Sequence, residues 1–401
     1  MKAAKDRGEP VSLMEPLLIG DGSRHRGALT DLALDLAQKS TGLRRSLPES
    51  LLASLADLVR AMTCYYSNLI EGHDTHPVDI ERALKNDYSK NAHKRDLQLE
   101  ARAHIAVQKW IDGGGLRRRA ATSDGIREVH RRFCELLPED LLWVEDPQTK
   151  DRVRVVPGEL RGKDVKVGAH IAVSSGAMPR FLERFEEIYN HLGKTDSILG
   201  AAAAHHRLVW IHPFVDGNGR VSRLMSHAML LETLDTGAVW SVARGLARNV
   251  DAYKGHLAAC DGTRHNDLDG RGNLSEEALA SFTDFFLRTC IDQVEFMEGL
   301  MQPDRLRARI LVWAEEEIRI GTLPPKSGSI LEAVLYRGEL PRANAAGVVG
   351  VGERHARRIV SALIERGVLA SESSRAPLRL VFPAGLASRW MPGLFPERIG
   401  E

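Results

Sequence analysis

The chain has little that would commit it to a membrane, a disulfide framework or a metal cage. Cys64, Cys134, Cys260 and Cys290 are scattered through 401 residues with no CxxC spacing. They read as reduced thiols, which excludes a zinc ribbon or a disulfide scaffold. No apolar stretch approaches the roughly 18 residues that a membrane-spanning helix requires. Met1 to Pro16 is polar and lacks the apolar centre of a secretion signal, so a cytoplasmic location is expected. A net charge of +1 gives no global attraction to nucleic acid or to an acidic surface. There is no GxxxxGK[ST], so a P-loop is excluded. The remaining composition, 43% hydrophobic and 27% charged, is that of a soluble globular protein with room for two or three domains.

What is present is concentrated in twelve residues, His212-Pro-Phe-Val-Asp216-Gly-Asn218-Gly-Arg220-Val-Ser-Arg223. Pro213 and the glycines favour a loop, and Val221, Leu224, Met225, Ala228, Met229 and Leu231 recur at helical spacing. The loop therefore delivers its amides to a helix N-terminus, whose unpaired donors and partial positive charge suit an anion. Glycine permits close backbone approach to a phosphate. Arg220 and Arg223, at i and i+3, share a face from which both can fork onto phosphate oxygens. Asp216 is an oxygen ligand of the kind magnesium takes beside substrate phosphates, and His212 is able to take a proton near neutral pH.

This stretch resembles the signature of the Fic family, HPFxDGNGRxxR, at every fixed position. Gly158-Glu-Leu-Arg161, then Val165-Lys-Val167-Gly168 and His170, is similar to the family's strand-and-flap segment, and a helix from Ser197 to Ile211 feeds the motif. The likeness extends over about residues 124–290. It implies transfer of AMP from ATP to a Ser, Thr or Tyr hydroxyl of a protein target, with self-modification expected. By the same resemblance His212 deprotonates the incoming hydroxyl and Asp216 holds Mg2+ on the phosphates. Gly217, Asn218 and Gly219 receive phosphate oxygens, Arg220 clamps them and Arg223 reaches the γ-phosphate. Phe214 is read as a packing anchor for the loop, and Tyr253 is assigned to the nucleotide-binding set near the base. The flap residues Val167, Gly168 and His170 would pair with target backbone as an added strand.

A second pattern lies about 140 residues upstream, Ser67-Asn-Leu-Ile-Glu71-Gly72. Leu51, Leu55, Leu58, Val59 and Met62 recur at helical spacing after a capping box at Ser46-x-x-Glu49, and Gly72 is placed to end the helix. Ser67 and Glu71 share a face near its C-terminus, where the helix dipole disfavours a negative charge. Glu71 therefore calls for a cationic partner. The segment resembles the Fic inhibitory motif, (S/T)xxxE(G/N), whose glutamate pairs with the second arginine of the signature, here Arg223. In some relatives the same glutamate also supports removal of AMP.

The expected fold is mainly α: a helical region with the inhibitory helix (1–120), a Fic core with one β-hairpin flap (121–300) and a winged helix-turn-helix (301–401). Residues 1–40 read as loosely ordered or accessory, and Gly113–Arg119 as a connecting loop. Asp267–Ser275 has the outline of an EF-hand loop, but Arg271 and Ala278 stand where ligands belong. It is read instead as a turn leading to Ser275 as an N-cap. His205 and His206 are adjacent rather than i,i+4 and read as packing residues. In the last hundred residues, 15 Lys and Arg stand against 11 Asp and Glu. Arg354, Arg357 and Arg358 fall on the exposed face of the third winged-helix segment, as candidates for DNA contact. A homodimer stays open. The competing readings are transfer of another nucleotide or phosphate group, and a DNA-binding regulator whose Fic domain senses nucleotide.

Overall fold

A computed structural model describes residues 5–145 and 150–396. The N-terminal part is four helices, α1 (Arg26–Ser46), α2 (Glu49–Ile70), α3 (Pro77–Leu84) and α4 (Ala92–Asp112). The central part runs α5 (Ser123–Glu135), hairpin β1 (Trp143–Glu145) and β2 (Arg152–Arg154), and hairpin β3 (Lys166–Val167) and β4 (His170–Ile171). It continues through α6 (Met178–Tyr189), α7 (Lys194–Ile211), α8 (Asn218–Leu234), α9 (Val242–Arg248), α10 (Val250–Cys260) and the long α11 (Glu276–Met301). The last part is α12 (Pro303–Arg319), α13 (Ser327–Arg337), β5 (Glu339–Leu340), α14 (Ala345–Val349), α15 (Glu353–Glu365), β6 (Leu369–Ala370), β7 (Leu378–Leu380) and α16 (Ala387–Trp390). The fold is mainly helical with small antiparallel strand sets, as the sequence led one to expect. No described helix is long and apolar enough to cross a membrane.

The centre is α7 beside α8, with α11 and α1 against α7. Both central helices are buried on most sides. Alanines 201 to 204 of α7 are buried, as are Val221, Leu224, Met225 and Ala228 of α8. Small residues in α7 let neighbouring backbones approach closely, and α8 is thereby held by packing around much of its circumference.

α2 packs against α4 and α9, and its apolar stripe of Leu51, Leu55, Leu58, Val59 and Met62 is buried. Its end is a Schellman turn: Gly72 has φ +85°, its N–H donates to Leu69 O (3.0 Å), and His73 N–H donates to Asn68 O (2.9 Å). Glu71 is the C-cap residue, so the turn fixes the direction in which its side chain leaves the helix. The start of α2 departs from expectation. Ser46 is the last residue of α1 and its hydroxyl donates to Leu43 O (2.8 Å), so no capping box forms and Pro48 is the N-cap.

Residues 5–40 are not loose. Met14, Leu17, Ile19 and Leu29 are buried, and the buried Arg207 donates to Pro16 O. Glu9 accepts from both the N–H and the hydroxyl of Ser174 (2.9 and 2.6 Å). The anchors before α1 follow no helical or strand period, so periodicity could not reveal them, whereas Leu29 starts the helical stripe Leu29, Ala33, Leu36 and Leu43 of α1. Ser275 caps α11 as expected, accepting from Ala278 N–H (3.0 Å), and Asp269 is spent within that turn, accepting from Ser275 Oγ and Glu277 N–H.

In the last part, β5, β7 and β6 form one antiparallel sheet in that order, one strand more than the sequence suggested. α15 buries Ala356, Ile359, Val360 and Leu363 and leaves Arg354, Arg357 and Arg358 exposed. This part also touches α2 directly: Tyr66 OH donates to Leu394 O (3.1 Å) and the Tyr65 ring meets Phe395 edge-on at 5.8 Å.

Candidate functional site

α7 ends at Ile211, and His212 follows in the left-handed region with φ +52°, its N–H returning to Leu208 O (3.0 Å). A positive φ on a non-glycine residue is costly and persists only where surroundings impose it. Arg161 supplies that constraint. It is 2% exposed and donates from Nε to His212 O (2.7 Å), from Nη1 to Lys163 O (2.7 Å) and from Nη2 to Val173 O (2.5 Å). Its backbone N–H donates to Pro213 O (2.9 Å). One buried guanidinium thus ties the turn to both flanks of the β3–β4 hairpin.

Phe214 is fully buried and stacks on His130, with ring centroids 3.9 Å apart and planes 1° apart. It is the packing anchor the sequence suggested. The carboxamide of Asn218 accepts from Phe214 N–H and donates to Phe214 O, both at 2.9 Å. That side chain therefore closes the loop. What Asn218 offers is its backbone. Gly217, with φ +82°, is the N-cap of α8, and it carries no capping side chain. The N–H groups of Asn218, Gly219 and Arg220 then open the helix, without acceptors inside it. They make the positive end to which an anion is drawn.

His212 is largely enclosed, and its Nδ1 is buried without a hydrogen-bond partner. Burial, with a smaller push from Arg161, lowers its pKa to about 4. The ring is therefore neutral at ordinary pH and able to accept a proton. Asp216 is exposed. Among the described residues no group of three or more His, Cys, Asp or Glu side chains is arranged to hold a metal. A lone exposed carboxylate beside a helix N-terminus is compatible with Mg2+, which commonly takes one or two carboxylates plus substrate oxygens and water.

The two arginines of α8 are both engaged by the N-terminal helices. Arg223, 3% exposed at its side chain, donates from Nε to Ser67 Oγ (2.8 Å) and from Nη2 to Glu71 Oε1 (2.5 Å). Burial alone would raise the Glu71 pKa, but Arg223 outweighs it and the net direction is down. A Cβ on Gly219 would lie 2.5 Å from that same Oε1. The Glu71 carboxylate therefore rests on the first turn of α8, where an anion would sit. Arg220 donates from Nη2 to Glu100 Oε2 (3.0 Å) and approaches His73 Nδ1 (3.2 Å), and its guanidinium lies 5.2 Å over the Phe133 ring. The sequence did not reveal Glu100 or His73 as neighbours of this site.

Tyr253 is 3% exposed, and its hydroxyl meets His205 Nε2 at 2.6 Å. His205 Nδ1 meets Ser226 Oγ (2.9 Å), whose own proton goes to Ser222 O, so Nδ1 carries the histidine proton and Tyr253 donates to Nε2. Tyr253 thus belongs to a buried network at the site's inner wall, where its side chain also bonds to Arg223. His205 and His206 are both buried, as the sequence implied.

In the hairpin, Val167 pairs with His170 around Gly168, which has φ +60°. His170 Nε2 meets Trp210 O at 2.8 Å and so fastens the hairpin to α7, while Val167 and Ile171 are exposed. Arg354, Arg357 and Arg358 belong to α15 and take no part in this site.

Residues 121–230 match the model of the Fic/DOC family. The chain is similar to the protein adenylyltransferase Fic of Drosophila virilis, with 31% identity over 169 residues, covering 42% of this chain and 32% of that protein. It is also similar to the protein of the same name in Drosophila persimilis, with 29% identity over 196 residues and 48% and 34% coverage. The chain thus spans about a third of the length of these relatives. Among solved structures it is similar to a Fic family protein from Desulfovibrio desulfuricans G20 (TM-score 0.49, 16% identity, 87% of this chain and 96% of that one). It is likewise similar to a Fic domain containing signaling protein from Bacteroides thetaiotaomicron VPI-5482 (TM-score 0.48, 20% identity, 66% and 95%).

Proposed function

We propose that this chain, which carries a Fic/DOC family domain over residues 121–230, is a protein adenylyltransferase held inactive by its own α2. In the reaction, a hydroxyl oxygen of a target Ser, Thr or Tyr attacks the α-phosphorus of ATP. The bond from that phosphorus to the oxygen bridging the α- and β-phosphates breaks, and pyrophosphate leaves. His212 takes the hydroxyl proton on its neutral ring. The first amides of α8 bind phosphate oxygens, and Arg220 and Arg223 offset their charge. Asp216 would hold Mg2+, which supplies further charge neutralisation when bound. The β3–β4 hairpin, through Val167, Gly168 and His170, would receive target backbone as an added strand.

The observation that carries this reading is the seat of Glu71. Its carboxylate pairs with Arg223 and rests on Gly219, so it competes with the terminal phosphate for the same arginine and the same helix end. An anion-for-anion exchange of this kind needs an anionic substrate. The test is incubation of wild type and Glu71→Gly with each α-labelled nucleoside triphosphate, followed by mass analysis of the protein. Label from ATP, lost in His212→Ala, supports adenylyl transfer. Label from another nucleotide changes the substrate, and label from none removes transferase activity.

A second reading concerns the last part of the chain. The order α13, β5, α14, α15, β6, β7 is consistent with a winged helix, and the exposed row Arg354, Arg357, Arg358 on α15 suits phosphate contact with DNA. DNA affinity that falls steeply with salt supports it, and affinity indifferent to salt argues against it.

A further inference from the structure

Glu71 and Arg223 are one of two acid–arginine pairs at the start of α8. The other is Glu100 with Arg220, and it is built differently. Glu100 lies on α4, outside the stretch matched to the Fic/DOC family. Its side chain is 14% exposed and that of Arg220 is 8% exposed, whereas Glu71 keeps 36% of its side-chain surface. Arg220 is gripped along one edge only. Nη2 donates to Glu100 Oε2 (3.0 Å), His73 Nδ1 stands 2.9 Å from the same oxygen, and the Phe133 ring backs the guanidinium at 5.2 Å. Nε of Arg220 is buried and has no acceptor. A buried charged donor without a partner is unfavourable and is satisfied when an acceptor arrives.

We infer that Glu100 is a positioning residue for the transfer reaction, acting through Arg220. It fixes one edge of the guanidinium so that the unfilled donor edge is held ready for a phosphate oxygen. This rests on the adenylyltransferase reading above. The contrast between the two pairs separates their duties. Glu71 sits at a helix end, is one-third exposed, and occupies the seat of the anion; its pair is made to open. Glu100 is enclosed between α4 and α8, and parting it from Arg220 would leave a buried guanidinium without a carboxylate, which is strongly unfavourable. That pair is made to stay. An arginine already held in place loses less side-chain freedom when the transition state forms, so the benefit falls on turnover rather than on ground-state binding.

The test uses the full chain in the Glu71→Gly background, with initial rates at varied ATP. Glu100→Leu is expected to lower kcat by about ten- to a hundredfold with KM for ATP within about threefold. Glu100→Gln, which keeps an oxygen acceptor, is expected to fall between Leu and the parent. Combined with Arg220→Ala, Glu100→Leu is expected to add nothing further. Should the leucine variant fail to fold, glutamine carries the same comparison. Turnover unchanged or raised by these substitutions would overturn the inference, as would losses that simply multiply with Arg220→Ala. A second readout is independent of turnover. The Nε–H proton of Arg220 is expected to give a sharp, slowly exchanging NMR signal in Glu71→Gly that broadens in Glu71→Gly/Glu100→Gln. An unaltered signal overturns the inference. If Glu71→Gly transfers nothing, the transferase reading fails, and the NMR comparison still decides whether Glu100 holds Arg220.

Discussion

Glu71 Oε1 stands 2.5 Å from Nη2 of Arg223, while Ser67 accepts from Nε of the same arginine at 2.8 Å. The last turn of α2 therefore occupies two nitrogens of the guanidinium of Arg223. The Schellman end of α2 aims Glu71, and the contacts of Tyr65 and Tyr66 with Phe395 and Leu394 fasten the preceding turn to the C-terminal part.

If carboxylate and phosphate share one seat, a methyl group in that seat excludes both. A Cβ on Gly219 would approach Glu71 Oε1 at 2.5 Å and Arg223 Nη1 at 3.1 Å. Gly219→Ala is expected to dislodge Glu71 without raising ATP affinity or transfer above wild type. Calorimetric titration checks the first quantity and label incorporation the second. Activation comparable to Glu71→Gly would separate the two seats.

Burial keeps His212 neutral down to about pH 4. The acid limb of kcat/KM for Glu71→Gly, which reports the free enzyme, is expected below pH 5 rather than near the ordinary histidine value of about 6.5. Initial rates between pH 4.5 and 8.5 on protein verified as folded settle the matter. An acid limb centred at pH 6.5 or above would mean that a solvated group, not this ring, is the base.

Stability should itself depend on pH in the same range. Burial lowers the pKa of His104 and His205 to about 3 and of His130, His206 and His212 to about 4. Each is below its unfolded value near 6.5, so the unfolded chain binds more protons as pH falls through that value. The stabilisation is complete above about pH 6.5 and is lost progressively as pH falls to about 3. His73, raised chiefly by its bond to Glu100, acts in the opposite sense, but it is one group and partly exposed. The melting temperature is expected to drop by several degrees between pH 7.5 and 5. A flat profile would show that these rings are not buried as neutral species.

Arg161 makes five side-chain and backbone bonds that join the His212 turn to both flanks of the hairpin. Arg161→Leu leaves several buried carbonyls without donors and is expected to cost about 3 kcal/mol or more. Transfer to protein should fall further than ATP affinity, because the hairpin loses its fixed relation to His212. Equal losses in both, or a melting temperature unchanged, would remove that coupling role.

The chemistry of the site was legible in the sequence because its groups are consecutive. His212, Asp216, Gly217, Gly219, Arg220 and Arg223 point to the proposed chemistry by type and order. Ser67 and Glu71 could be found because helical spacing and an awkward charge at a helix end ask for a partner. What stayed hidden depends on contacts between distant segments. Glu100 is one charge among many on α4, and nothing local distinguishes it from a solvated glutamate. Arg161 was noticed only as part of a resemblance, since its role consists of carbonyls from three other segments. Asn218 shows a further limit. Its type suits a phosphate ligand, but the loop consumes its carboxamide, and sequence does not say which atoms a residue has left over. Strands of two or three residues, such as β1, β2 and β5, are too short for alternation to register.

Glu71→Gly, compared with wild type for self-modification by α-labelled ATP, is the most direct measurement. Glu71 is partly exposed, so solvent screens the pair and the lower end of a charge-assisted bond applies. Incorporation is expected to rise by roughly tenfold, with tighter ATP binding by calorimetry. Equal incorporation and equal affinity in the two proteins would mean that the carboxylate on Arg223 does not restrain the reaction.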